Sequence, residues 1–332
     1  MRIGINPFKD VQKLNMSTYH RIVVVVYIPN EEGFYENAIT VLKSCLESLF
    51  ETINCHAAIT VVNNGSFRKV GDLLNFYSEQ NKIDTLITHA YNIGKIDAQI
   101  GAARASREEI ITLTDSDILF CNGWQENVEE IFSTFPNVGS VSPIPVRTGM
   151  YAGTSSVLKQ ILLRKLKFRF IALPKNMKDY NRFLSSINWD LDTDSNKKWP
   201  VVENKGVKAI IGSAHQVLTI DRNILFMTTP SNPSLTLVGS NSEHNYIDVP
   251  IDKAGKLRLA TYKNFAYHIG NEMDEWMTDI IINNSSNKKT QQFELKTSIL
   301  KDVFNSKFEG KVYSLRKMII KKIFALVYGK VY

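Results

Sequence analysis

The chain predicts an α/β fold: a mostly parallel sheet flanked by helices, with a helical C-terminal extension. Three observations carry this. Short apolar, β-branched runs alternate with stretches whose apolar residues recur at helical spacing. Nearly every run closes on Pro, Asn, Gly or Asp, which end strands and open turns. The polar residues with chemistry to offer cluster just past the ends of those runs, where open parallel sheets bind ligands.

The elements follow in order. Residues 22–28 (Ile-Val-Val-Val-Val-Tyr-Ile) read as a fully buried strand closed by Pro29-Asn30. Residues 38–50 carry Ile39, Leu42, Leu46, Leu49 and Phe50 at helical spacing. Residues 58–62 predict a second strand ending in Asn63-Asn64-Gly65-Ser66, and 70–77 a helix. Residues 85–89 predict a short strand, and the Ala-rich 95–106 a helix. Residues 110–114 predict a buried strand that ends in Asp115-Ser116-Asp117. Residues 124–132 predict a helix, and 138–141 and 208–211 strands. Such alternation implies right-handed βαβ units.

Composition narrows the function. A chain of 332 residues with 44% hydrophobic and 22% charged residues is an ordinary globular protein. No stretch approaches the ~20 apolar residues of a membrane span, and the N-terminal segment lacks the apolar run of a secretory signal. Three cysteines (Cys45, Cys55, Cys121) without metal-type spacing fit a reducing compartment. The net charge of +7 favours anionic partners. Without a zinc finger, an RNA-binding signature or a long Lys/Arg run, nucleic acid is not expected among them.

Two carboxylates one residue apart at the end of a buried strand need a counter-charge, because desolvated anions are costly. A divalent cation on Asp115 and Asp117 would supply it and would bind a diphosphate. The plain alternative is a turn or a helix cap. No Gly-rich dinucleotide or P-loop pattern accompanies the motif.

Four segments in order resemble family 2 nucleotide-sugar glycosyltransferases. Tyr27-Ile28-Pro29-Asn30-Glu31 is similar to their first strand and nucleotide loop. Val61-Val62-Asn63-Asn64-Gly65-Ser66 is similar to their "VVDDGS" strand end, with Asn63 where a carboxylate is common. Asn92-Ile93-Gly94-Lys95, with Gly101 and Ala102-Ala103-Arg104, is similar to their "N-x-G-x…G…A" helix, and Asp115-Ser116-Asp117 takes their DxD position. The resemblance implies the GT-A fold and a nucleotide diphosphate-sugar donor held by Pro29, Asn30, Glu31, Asn63, Asn64, Asn92, Lys95, Asp115 and Ser116.

In the second half, residues 212–218 resemble the floor of the family's acceptor site. Ser242-Glu243-His244, followed by Tyr246-Ile247, Ile251 and Gly255, resembles the "E-D-x-x-L…G" helix. His244 stands where an Asp commonly serves as base, so Glu243 and His244 are the catalytic candidates, with Asp248 as an alternative. Histidine removes protons well near neutral pH. Residues 265–269 predict a strand that delivers His268 before Gly270-Asn271, and many GT-A enzymes place a further metal ligand there. The expected metal set is therefore Asp115, Asp117 and His268, for Mn²⁺ or Mg²⁺. His20, His56, His89 and His215 lack a supporting pattern and read as structural.

Two regions are basic and amphipathic, 155–170 and 311–332; the second has no Asp or Glu. Each reads as core packing with a solvated basic face, or as a helix on an anionic membrane surface. Residues 179–198 read as an irregular, mobile loop or lid; its Asp190, Asp192 and Asp194 lack the Gly and Glu of a calcium loop.

The expected organisation is an N-terminal extension (1–20), a nucleotide-sugar half (21–145), an insertion (146–205), an acceptor half (206–285) and a basic extension (286–332). The expected function is metal-dependent transfer of a sugar to a hydroxyl of a glycan or lipid-linked acceptor, in surface polysaccharide or glycolipid synthesis. By the resemblance, inversion is preferred over retention. The expected location is the cytoplasm, peripherally on the inner membrane face. A nucleotidyltransferase would need a Gly-rich basic loop that Asn30-Glu31-Glu32-Gly33 does not provide. A non-catalytic sugar- or lipid-binding protein on a transferase scaffold is the rival from another class.

Overall fold

A computed structural model of the chain describes residues 15–194, 196–286, 295 and 312–329. Most of the expected N-terminal extension (1–14) and much of the C-terminal one (287–294, 296–311, 330–332) lie outside the described residues.

The elements in order are β1 (His20–Val26), α1 (Ala38–Thr52), β2 (Ala57–Asn64), α2 (Arg68–Glu79), β3 (Thr85–His89), α3 (Lys95–Ala105), β4 (Ile110–Thr114), β5 (Ile118–Phe120), α4 (Trp124–Thr134) and β6 (Val138–Ser142). They continue with α5 (Ser155–Leu162), β7 (Lys167–Ala172), α6 (Pro174–Ser186), β8 (Lys198–Asn204), β9 (Val207–Ile211), β10 (Val217–Asp221) and α7 (Ile224–Met227). A π-type turn (His244–Asp248) runs into α8 (Val249–Lys253); then come β11 (Leu257–Thr261), β12 (Ala266–His268), α9 (Glu275–Ser286) and α10 (Tyr313–Tyr328).

The central sheet has the order β3-β2-β1-β4-β10-β6-β11-β9-β8-β7. From β3 to β4 every pairing is parallel, as the βαβ alternation requires. Beyond β4 the sheet is mixed: β10, β9 and β7 run against the rest. Strand β1 is buried along its whole length. Its Ile22, Val24 and Val26 pack with Val41, Leu42, Leu46 and Leu49 of α1, and Val23 and Val25 pack with Ile96 and Ile100 of α3. This two-residue alternation between two covered faces is the reason the strand reads as one continuous apolar run.

Two expectations are corrected. Residues 155–170 are not one amphipathic helix; α5 ends at Leu162 and β7 begins at Lys167, and β7 takes the sheet's edge against β8. Residues 179–198 are not wholly irregular, because α6 is helical to Ser186 and buries Asp179. Strands β8 and β9 pair as a hairpin on either side of residues 205 and 206.

Two features position the site. The antiparallel β10 lies against β4 with Val217 opposite Thr114. One step further along that ladder Gln216 faces Asp115, whose amide donates to the Gln216 carbonyl at 2.8 Å. Separately, β12 pairs with β5, with His268 opposite Ile118, and the Ile269 amide donates to the Asp117 carbonyl at 2.8 Å. The Asp115-Ser116-Asp117 turn is thus pinned from both sides.

Candidate active site

The carboxyl ends of β1, β2 and β4 converge with the loop after β3. The Ile28 amide donates to Ser66 Oγ at 3.1 Å and the Phe67 amide to the Ile28 carbonyl at 2.9 Å, which ties the Pro29-Asn30-Glu31 loop to the β2 turn. Asn30 accepts the Glu32 amide at 3.1 Å, and Glu31 is ion-paired to Lys69 on α2. Asn63 Oδ1 accepts the Ser66 amide at 3.0 Å, closing an Asx turn. Asn64 is buried: its Nδ2 donates to Asn92 Oδ1 at 2.9 Å and its Oδ1 accepts the Ile93 amide at 3.1 Å. Asn92 also accepts the Gly94 amide at 2.8 Å. Asn63, Asn64 and Asn92 therefore build the loop framework. Gly65 is required there, since at φ +81° a Cβ would sit 2.5 Å from the Tyr91 carbonyl carbon.

At the head of α3, Lys95 reaches across to Asp115, with Nζ 2.7 Å from Oδ1 and 2.9 Å from Oδ2, and lies 3.6 Å from Glu243 Oε1. Burial works against the Lys95 ammonium, but Asp115 and Glu243 outweigh it and raise its pKa. Burial and the neighbouring Asp117 raise Asp115, against the pull of Lys95. The counter-charge that the sequence demanded at Asp115 is thus a lysine. Ser116 is half-buried between the two carboxylates.

Asp117 has a different environment. Its Oδ2 lies 3.2 Å from His268 Nε2, and among the described residues its buried Oδ1 has no hydrogen-bond partner. His268 Nδ1 meets Ser186 Oγ of α6 at 2.8 Å, and its ring packs edge-on against Phe183. Burial alone would lower the His268 pKa; the hydrogen bond and charge of Asp117 raise it on balance. An orphaned carboxylate oxygen beside an imidazole suits a divalent cation. Asp117 and His268 fit that role, whereas Asp115 faces Lys95. Among the described residues no group of three or more His, Cys, Asp or Glu is gathered as a metal cluster. A narrow cleft lined by Asp179, Tyr180, Phe183, Gln216, Tyr267 and His268 opens next to this pair.

Glu243 and His244 stand on the opposite rim. Burial opposes the Glu243 charge, but the local backbone, Lys95 and the Ser242 hydroxyl (3.0 Å) hold its carboxyl below the usual range. His244 Nδ1 lies 3.3 Å from Asp248 Oδ2, one helical turn on. The sequence reading missed the next members. His215 Nε2 lies 2.7 Å from that same Asp248 oxygen, and Asp248 Oδ1 lies 2.5 Å from the buried Arg258 guanidinium. His215 is therefore not an isolated structural histidine. The His244–Asp248 spacing of four was legible in the sequence; the approach of His215 depends on the antiparallel placement of β10, which no local pattern signals.

The loop between α7 and Glu243 closes over α3. Asp97 accepts the amides of Ser234 (2.8 Å) and Leu235 (2.9 Å), and the Lys95 amide donates to the Leu237 carbonyl at 2.9 Å.

Residues 24–187 match the family model described as glycosyl transferase family 2. Among solved structures, the chain is similar to a mannosyltransferase from Pyrobaculum calidifontis, PcManGT, in complex with GDP-Man and Mn²⁺. The identity is 16%, the match covers 74% of this chain and 55% of that one, and the TM-score is 0.43. It is similar to GalNAc-T7 with UDP, GalNAc and Mn²⁺ at 16% identity, 77% and 44% coverage, and a TM-score of 0.49. It is also similar to S. aureus TarS 1-349 at 12% identity, 85% and 77% coverage, and a TM-score of 0.44. The chain thus spans about half the length of the first two. No curated protein matches its sequence.

Proposed function

We propose that the chain, whose residues 24–187 match the family 2 glycosyltransferase model, moves a sugar from a nucleotide diphosphate-sugar to a hydroxyl acceptor with inversion. The observation that carries this is the pairing of Asp117, with its orphaned buried oxygen, to His268 at the carboxyl end of the parallel strands. PcManGT and GalNAc-T7 were solved with Mn²⁺ and a nucleotide or nucleotide-sugar, and a TarS 1-349 structure holds UDP-GlcNAc. By that likeness the donor diphosphate of this chain would lie over Asp117 and His268. A Mn²⁺ or Mg²⁺ ion bound there supplies Lewis-acid stabilisation of the leaving diphosphate.

The residues of the chain divide the rest of the work. Asn64 and Asn92 hold the turn under the nucleotide. Lys95 neutralises Asp115 and keeps a second positive charge beside the phosphates. Glu243 steadies Lys95 from the other rim. A base on the rim where Glu243, His244 and His215 gather takes the proton of the acceptor hydroxyl, whose oxygen then bonds to the anomeric carbon as the nucleotide diphosphate departs with the bonding electrons.

The acceptor is proposed to be lipid-linked or part of a surface glycan, on the evidence of α10. Among the described residues no helix is long and apolar enough to cross a membrane. Helix α10 docks through Tyr313, Ile320 and Phe324, with the Tyr313 hydroxyl donating to buried Asp252 at 3.0 Å. Its opposite face leaves Leu315, Met318, Ile319, Ile323 and Leu326 exposed, Leu326 at 85%, beside Lys322. An outward apolar stripe among lysines complements an anionic bilayer surface.

Nucleotide release from a panel of UDP-, GDP-, CDP- and dTDP-sugars, with and without Mn²⁺ and with glycoside acceptors, tests the transfer. Metal-dependent release raised by an acceptor is the expected result. Wild-type protein that releases nucleotide from no donor would overturn it.

A further inference from the structure

Two histidines that are distant in sequence share one buried carboxylate oxygen at the acceptor rim. Asp248 is 1% exposed and is held at about 2; burial opposes its charge, and Arg258, His215 and His244 overcome it. A carboxylate so firmly ionised only accepts hydrogen bonds. The ring nitrogens that face it, His215 Nε2 and His244 Nδ1, must therefore carry protons. In the neutral rings the lone pairs then lie on His215 Nδ1 and His244 Nε2. Among the described residues neither of these nitrogens makes another hydrogen bond, and both side chains are more than a third exposed, at 39% and 35%.

The two are not equivalent. His215 is held at 2.7 Å and His244 at 3.3 Å, so Asp248 orients His215 more firmly. His215 also adjoins Gln216 in the chain, whose carbonyl accepts the Asp115 amide at 2.8 Å at the start of the Asp115-Ser116-Asp117 turn. The rival base, Glu243, is held below the usual carboxylate range and is a correspondingly weak proton acceptor. The charged groups around the cluster are Asp248, Arg258, His244, Glu243 and, beyond Glu243, Lys95.

We propose that His215, oriented by Asp248, is the general base of the transfer, with His244 as its neighbour on the same carboxylate. Resting on the transferase reading above, this assigns the acceptor proton to His215 Nδ1. As that proton arrives, the acceptor oxygen bonds to the anomeric carbon, and the bond from that carbon to the phosphate oxygen breaks with its electrons leaving on the nucleotide diphosphate. The imidazolium formed is balanced by Asp248, as in other carboxylate-oriented histidine bases. Glu243, kept ionised, adds a second negative charge nearby.

The test compares wild type, His215→Gln and His244→Gln in the full chain, with UDP- and GDP-sugars, Mn²⁺ and p-nitrophenyl glycoside acceptors. His215→Gln should lower kcat about 10²–10⁴-fold while UDP and GDP affinity by calorimetry stays within about twofold. The acid limb of the pH–kcat profile should flatten in that variant and persist in His244→Gln. Equal kcat in His215→Gln and wild type, or a larger loss in His244→Gln, would overturn the assignment while leaving the transferase reading in place. Wild type that transfers from no donor would overturn the reading itself, and the base with it. A second readout needs no acceptor: ¹⁵N shifts should show neutral His215 protonated at Nε2, and protonation at Nδ1 would overturn the proposal.

Discussion

The two rims of the crevice use similar charges to opposite ends. On the nucleotide rim, Asp115 meets a flexible lysine and Asp117 a histidine, and one oxygen of Asp117 is left without a partner. On the acceptor rim, Asp248 meets a buried arginine, and two histidines donate to its remaining oxygen. The first arrangement is the one proposed above to receive a cation. In the second, a buried guanidinium and two imidazoles surround the carboxylate, and the atoms it leaves for proton transfer are imidazole lone pairs. Pairing alone does not mark a functional carboxylate; what matters is which groups it is paired with.

Substitutions that remove one partner should separate the rims most. Asp248→Asn leaves Arg258, 2% exposed, without its carboxylate. Breaking a buried pair in this way costs about 3–5 kcal/mol. Lys95→Met, at a pair whose side chains are each 20% exposed, should cost only about 1–3 kcal/mol. Urea denaturation measures both; equal losses would erase the distinction between a fixed and an exchangeable counter-ion.

The pH dependence of stability sharpens the same contrast. Asp248 is depressed to about 2, so its contribution is present above the unfolded value near 4 and is lost as pH falls through about 2. A depression of that size corresponds to roughly 2–3 kcal/mol between pH 5 and pH 2. Wild type should lose this increment on acidification and Asp248→Asn should not. Parallel acid titrations of the two proteins would contradict the account.

Much of the nucleotide rim was legible because it is local. Residues 110–117 place strand and carboxylates in one eight-residue run, and Asn63-Asn64-Gly65-Ser66 announces its own turn. What those residues do was less legible: Asn63 and Asn64 face backbone and loop partners, and the counter-charge on Asp115 comes from Lys95, twenty residues away. The acceptor rim was harder still. Asp248 gathers His215 and Arg258 across β10 and β11, pairings set by long-range strand order. Residues 155–170 misled for a related reason: a basic, alternately apolar run fits a helix face or an edge strand, and β7 is the latter from Lys167 on.

The smallest effect on stability should come from α10. Asn substitutions at Leu315, Ile319 and Leu326, on its outward face, should change stability by no more than about 0.5 kcal/mol each. They should abolish salt-sensitive binding to liposomes containing phosphatidylglycerol. Retained binding would assign the stripe another role, and a large loss of stability would show it to be packed. Cutting off the whole segment is a poorer test, because Tyr313 and Phe324 belong to the core.

The central claim is that Asp117, with His268, holds the metal and through it the donor. Calorimetry of UDP and GDP binding with Mn²⁺ present and absent, in wild type and Asp117→Asn, tests it most directly. The account predicts Mn²⁺-dependent binding that Asp117→Asn loses while its melting temperature holds. Unchanged, metal-supported affinity in the variant would contradict it.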